Sequence, residues 1–254
     1  MSKDGCTALY WKNDSSTFLA QNWDWQEEQQ ENLISLHISP RNKPAIAMIT
    51  EAGIIGKIGL NSNGVGVCLN AIRALGVDFG RLPCHLALRA GLECQSVQEA
   101  VVALNKSGVA SACHILVADP HEAVGLECSH LDIVELATQE GVLTHTNHFI
   151  RPHPVDDKLA FKDSPVRLAR IDELIQQRRK VIDESTVIKT DHLRSLLSDE
   201  QDSPTAICRS KIEDSPIATL FHIVMNLRKR STEVVVGKPS QQRAEILSLN
   251  PVLV

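Results

Sequence analysis

The sequence offers one residue pair with obvious nucleophilic chemistry, Gly5-Cys6 in "DGCTALYW". A thiolate attacks carbonyl carbon readily, but an ordinary cysteine, with a pKa of about 8.5, is only a few per cent ionised at neutral pH and needs a base. Removal of Met1 to Gly5 would leave Cys6 as the first residue. Its own α-amino group, with a pKa of roughly 7.7 to 8.0, would then supply the base next to the thiol and near the working pH. Attack on an acyl carbon builds an oxyanion that needs fixed donors, and the amide of Asn147 in "THTNH" is the candidate. Asp24 in "QNWDW" is the candidate carboxylate for holding the amine in place.

These residues need strands to position them. Short apolar runs punctuated by turn residues ("CTALYW", "FLAQNW", "LISLHIS", "AIAMIT") fill the first part of the chain, so Cys6 and Asp24 are expected on adjacent strands. In "KIGLNSNGVGVCLN" an Asn-Gly pair between apolar runs predicts a hairpin, because both residues tolerate positive φ. Ser96 with Glu99 forms a capping box ahead of "AVVAL", and "HLALRAGL" before it reads as helix. Strands return in "CHILVAD", "AVGLEC", "DIVEL" and "VLTHT", the last leading into Asn147. Ser164-Pro165 opens a helix with Leu168, Ile171, Leu174 and Ile175 on one face, and Thr190 is expected to cap another carrying Leu193, Leu196 and Leu197. "IATLFHIVMNL" and "TEVVVG" read as two late strands. Strands and helices in clusters, rather than in βαβ alternation, predict an α+β fold with mainly antiparallel sheets, and no linker divides residues 1–254 into separate domains.

Composition narrows the partners. Charged residues make up 22% of 254 residues with a net charge of -5, which favours neither nucleic acid nor an anionic membrane surface. The most apolar stretch, Ile217 to Leu227, includes His222 and Asn226 and is too short to span a bilayer. Seven scattered cysteines, mostly in apolar runs, suit reduced thiols, and with no signal-peptide pattern the expected compartment is the cytoplasm. His145, His148 and His153 invite a metal reading, but their spacing builds no zinc cage, so no metal is expected. "GIIGKIG" fits neither phosphate-binding glycine motif, and "DGCT" lacks the surroundings of a papain-type cysteine.

"DGCTALYW", "AQNWDW", "ITEAGIIGKIGLNSNGVGV", "GLECS", "THTNH", "SPTAICR" and "ATLFHIV" occur in an order that resembles the fungal acyl-coenzyme A:isopenicillin N (6-aminopenicillanic acid) acyltransferase family, N-terminal nucleophile hydrolases. The resemblance covers nearly the whole chain, which corresponds to the family's large subunit. It implies a four-layer αββα sandwich and a precursor that cuts itself between Gly5 and Cys6. It also implies exchange or removal of the acyl side chain of a penicillin-type amide through a cysteine acyl-enzyme. Acyl-coenzyme A would enter as substrate, with no bound cofactor. By motif position Cys6 matches the nucleophile, Asp24 the active-site aspartate and Asn147 the oxyanion asparagine, while Ser129 and Ser215 match two supporting serines. Penicillin V acylase or a bile-salt-hydrolase-like amidase is a related reading.

Three departures stand against the family pattern. The segment that becomes the small subunit is expected to be absent or separately made, since Met1 to Gly5 alone precede Cys6. The competing expectation is therefore a non-catalytic relative, or a large subunit inactive without that partner. Pro216 stands where the family has an arginine, so the ion pair to Asp24 must be lost or supplied by Arg209 or Lys211. The terminal Val252-Leu253-Val254 is not a peroxisomal tripeptide.

Overall fold

A computed structural model describes residues 5–158, 161–181, 186–241 and 246–251. Met1 to Asp4 and the terminal Val252 to Val254 lie outside the described residues. Two antiparallel sheets form the centre. The first contains β1 (Thr7–Lys12), β2 (Thr17–Gln26), β10 (Val142–His145), β11 (Ile217–Asn226), β12 (Ser231–Val236) and β13 (Ile246–Ser248), in the order β10-β1-β2-β11-β12-β13. The second runs in sequence order through β3 (Leu33–Ile38), β4 (Ile46–Glu51), β5 (Ile58–Asn61), β6 (Gly66–Ala71), β7 (Cys113–Ala118), β8 (Ala123–Cys128) and β9 (Ile133–Ala137). Helices α1 (Cys84–Leu92) and α2 (Val97–Ser107) cover the second sheet, and α3 (Ser164–Arg179) and α4 (Thr190–Leu197) cover the first. The layers are therefore those of an αββα sandwich.

Alternation along β1 builds both interfaces of its sheet. Ala8 and Tyr10 join the core between the sheets, with Leu60, Val67 and Ile115, while Leu9 and Trp11 pack under the helices with Ile171, Ile175, Leu193 and Leu196. A strand buried on both faces reads as a continuous apolar run, and "TALYW" is one. The Asn63-Gly64 hairpin forms as expected between β5 and β6, with Gly64 at φ +91°. A Cβ there would stand 2.9 Å from the carbonyl oxygen of Leu227, so that turn excludes larger residues on two grounds.

Local expectations at the helix ends hold in part. Ser96 caps α2 by accepting from the backbone N–H of Glu99, but the Glu99 carboxylate reaches the N–H of Gln95 and not that of Ser96. Thr190 is the first residue of α4, so the cap position falls on Lys189, whose backbone is extended and whose N–H is taken by His192 Nδ1. The 3-10 turn at Glu27–Asn32 and the short β13 were not anticipated, since neither carries an apolar period.

Candidate active site

Register brings the candidate residues to one end of the sandwich. Thr7 pairs with Asn22, Ala8 with His145, and Thr219 with Asp24, so the start of β1 meets the ends of β2 and β10 and the start of β11. Cys6, just ahead of β1, is fully buried against the core between the sheets. Its thiol donates to the backbone oxygen of Asp24 at 3.8 Å, so the two residues are close, as expected. Gly5, also buried, packs so closely on Arg209 that an added Cβ would lie 2.6 Å from Nε.

The Asp24 carboxylate meets Thr219 and Arg209. Thr219 Oγ1 donates to its Oδ1 at 2.8 Å, and Arg209 Nε lies 3.4 Å from Oδ2. Burial raises the Asp24 pKa from 3.8 to about 6, with Arg209 and Arg167 opposing the rise. Arg209 is the cation beside the aspartate. Lys211 sits at the surface on Glu27 and Glu28, and Pro216 is exposed with its carbonyl bonded to Glu27 N–H.

Arg209 also pairs with Asp163, whose Oδ2 lies 3.4 Å from Arg167 Nε. Burial works against ionising Asp163, but the two guanidinium groups outweigh it and hold the carboxyl below the usual range. Arg167 is almost wholly buried. Desolvation lowers its pKa to about 10, and Arg209 adds to the fall, so it stays protonated at neutral pH. Its Nη1 donates to the carbonyl oxygen of Cys6 at 2.8 Å and to Thr7 Oγ1 at 3.2 Å, and its Nη2 donates to Asn147 Oδ1 at 2.9 Å. Asn147, following β10, donates from Nδ2 to Ala71 O at 2.9 Å, and its backbone N–H reaches Ser164 Oγ at 2.5 Å.

A second cluster approaches Cys6 from the other sheet. Asn70 Nδ2 donates to Cys6 O at 3.2 Å, and Asn70 Oδ1 lies 3.0 Å from His114 Nδ1. His114 stacks on His145 with ring centres 3.6 Å apart, and His145 Nε2 lies 2.9 Å from Glu127 Oε1. Burial pushes Glu127 up, but hydrogen bonds from His145 and the N–H groups of Ile150 and Arg151 prevail and hold it below the usual range. His114 is pushed well below its ordinary value by burial and then by His145, so it is neutral near pH 7.

The structure brings Cys6, Asp24 and Asn147 into one connected region; Ser129 joins it only at a distance, through Asp132, His153 and Glu127, while Ser215 lies in a surface turn. Ser129 closes the turn after β8, accepting from Leu131 and Asp132 N–H and pairing with the Asp132 carboxylate. Ser215 closes a surface turn with Ile212 through backbone bonds in both directions. Arg167, Asp163, Asn70 and His114 were missed. Arg167 had a signal, because it falls on the buried stripe of α3 with Ser164, Ile171 and Ile175, where a cation is out of place. The three histidines of the metal reading instead meet Glu127, Asp132 and Ser164. A groove of about 940 Å³ lies at the far end of β1, lined by Tyr10, Lys12, Glu140 and Arg179 among others, and Cys6 does not line it.

The family described as acyl-coenzyme A:6-aminopenicillanic acid acyl-transferase matches residues 11–241. The chain belongs to that family. It is 38% identical over 244 residues to the acyl-coenzyme A:6-aminopenicillanic-acid-acyltransferase 40 kDa form of Emericella nidulans, covering 94% of this chain and 66% of the relative's length. Two solved structures share the fold. The N-acylethanolamine-hydrolyzing acid amidase ortholog of Caenorhabditis elegans matches with TM-score 0.65 and 16% identity, over 94% of this chain and 95% of that one. A mutant conjugated bile acid hydrolase from Clostridium perfringens matches with TM-score 0.66 and 14% identity, over 96% and 92%. Among the described residues no helix is long and apolar enough to cross a membrane.

Proposed function

We propose that the chain is an N-terminal cysteine acyltransferase or amidohydrolase that exchanges or removes the acyl side chain of a penicillin-type amide, with acyl-coenzyme A as thioester substrate. Cleavage between Gly5 and Cys6 frees the α-amine, which takes the thiol proton. The Cys6 thiolate then bonds to the amide carbonyl carbon, and Asn147 Nδ2 holds the oxyanion. The tetrahedral species collapses with loss of the C–N bond, the departing amine takes the proton, and the acyl group passes to another amine or to water. With a thioester donor the same cysteine is acylated as the coenzyme A thiol leaves.

The observation that carries this reading is the convergence on the Gly5-Cys6 step, where Cys6 is connected through Arg167 to Asn147 and lies against Asp24. The name of the 38% identical relative supports the choice of penicillin nucleus and acyl-coenzyme A. In this reading residues 1–254 act as one domain, the counterpart of the family's large subunit. Ser129 and Ser215 enter as supports by motif position; their turn bonds favour shaping the loops around the site.

Intact mass and turnover test the proposal together. The purified protein should carry a species beginning at Cys6 and make an acylated product from 6-aminopenicillanic acid and an acyl-coenzyme A, while Cys6→Ala should stay uncut and inactive. A Cys6→Ala protein that still turns over would refute it.

A further inference from the structure

Arg167 spends its guanidinium on the nucleophile and the oxyanion asparagine at once. Nη1 holds Cys6 O and Thr7 Oγ1, Nη2 holds Asn147 Oδ1, and Nε faces Asp163. Stability alone does not explain it, because a buried paired cation is often matched or bettered by an apolar side chain of similar volume, and its neighbours on the α3 stripe include Ile171 and Ile175.

A guanidinium has only donors, so the end of the Asn147 amide that meets it must be the oxygen. That fixes Nδ2 at the opposite end, where one N–H is given to Ala71 O and a second remains for an incoming oxyanion. Were the amide free to turn, an acceptor would replace the donor there and would repel the developing charge. The Cys6 oxygen that Arg167 holds belongs to the Cys6-Thr7 peptide, so a cut between Gly5 and Cys6 leaves the clamp whole. The planar fork reaches both partners from one side chain, which a single ammonium cannot reproduce.

We propose that Arg167 is a positioning residue, one that fixes the amide of Asn147 relative to Cys6 so that Nδ2 is presented to the carbonyl under attack. The inference rests on the reading of Cys6 and Asn147 given above. Asp163, shared with Arg209, anchors the guanidinium.

Steady-state kinetics of Arg167→Lys, Asn147→Ala and the double variant test it, with Cys6→Ala alongside. Arg167→Lys should lower kcat on the order of 100-fold, the range for losing one oxyanion donor, with KM nearly unchanged. Because both changes remove the same donor, the double variant should be no slower than Asn147→Ala. Full kcat in a folded Arg167→Lys protein, or effects that multiply in the double variant, would overturn the assignment. Arg167→Ala supplies an independent measurement if the lysine variant does not fold. Added guanidinium ion should restore part of its kcat but none in Arg167→Ala/Asn147→Ala, and equal recovery in both would count against the proposal. Turnover surviving in Cys6→Ala would instead remove the reading beneath it, so the two failures are distinguishable.

Discussion

Two buried polar networks meet at the carbonyl oxygen of Cys6, and they solve the problem of burial differently. On the helix side, Asp24, Arg209, Asp163 and Arg167 alternate in sign, so each charge has an opposite neighbour. On the side of the second sheet, Glu127 is bonded by His145 and two backbone N–H groups and faces His153, which also meets Asp132, and the path to Cys6 runs through neutral His114 and Asn70. The first is a chain of ions whose members depend on one another; the second keeps its carboxylates at its far end and reaches Cys6 through uncharged groups. Charge near the thiol therefore comes from the helix side, and the second sheet adds uncharged hydrogen bonds.

The contrast can be broken at several points. Asp163→Ala should do the most damage, since it leaves two buried guanidinium groups facing each other without their shared anion. A loss of about 3 to 5 kcal/mol in chemical denaturation is expected. Glu127→Gln keeps the shape and one acceptor oxygen, so a smaller loss of about 1 to 3 kcal/mol is expected, and an equal or larger loss would erase the distinction between the two networks. Gly5→Ala forces a methyl against anchored Arg209; overpacking of about 1 to 3 kcal/mol should slow the cut ahead of Cys6 in a time course of intact mass.

The pH dependence of stability supplies the finest test, because Asp24 and His114 contribute opposite slopes. Asp24 titrates near 6 when folded and 3.8 in its ordinary state, so the folded chain holds the extra proton between these values. Stability from Asp24 thus rises as pH falls through that window. His114, held well below 6.5, leaves the unfolded chain holding the extra proton below 6.5, and its contribution declines as pH falls. Asp24→Asn should therefore steepen the loss of stability between pH 6 and 4, and His114→Gln should flatten it; the same sign for both variants would contradict the assignments.

Much of the fold was legible because it is local. Strands such as "TALYW", the Asn63-Gly64 turn and the Ser96 cap each announce themselves within a few residues. The pairing of Cys6 with Asp24 followed from strands adjacent in sequence. Arg209 was one of two cations considered for Asp24, and the choice required β11 to lie beside β2, which no local pattern encodes. The partners of Arg167 and Glu127 were invisible for a related reason. A period of apolar residues marks the α3 face through Ile171 and Ile175 but assigns no partner to a cation on it, and β8 approaches the end of β10 only in the folded chain.

Everything rests on Cys6 as the acylated residue. Brief exposure to an acyl-coenzyme A without acceptor, followed by acid quench and peptide mapping, tests this most directly. The acyl mass is expected on the peptide that begins at Cys6. An adduct on another of the seven cysteines, or none at all in a preparation that turns over, would contradict it.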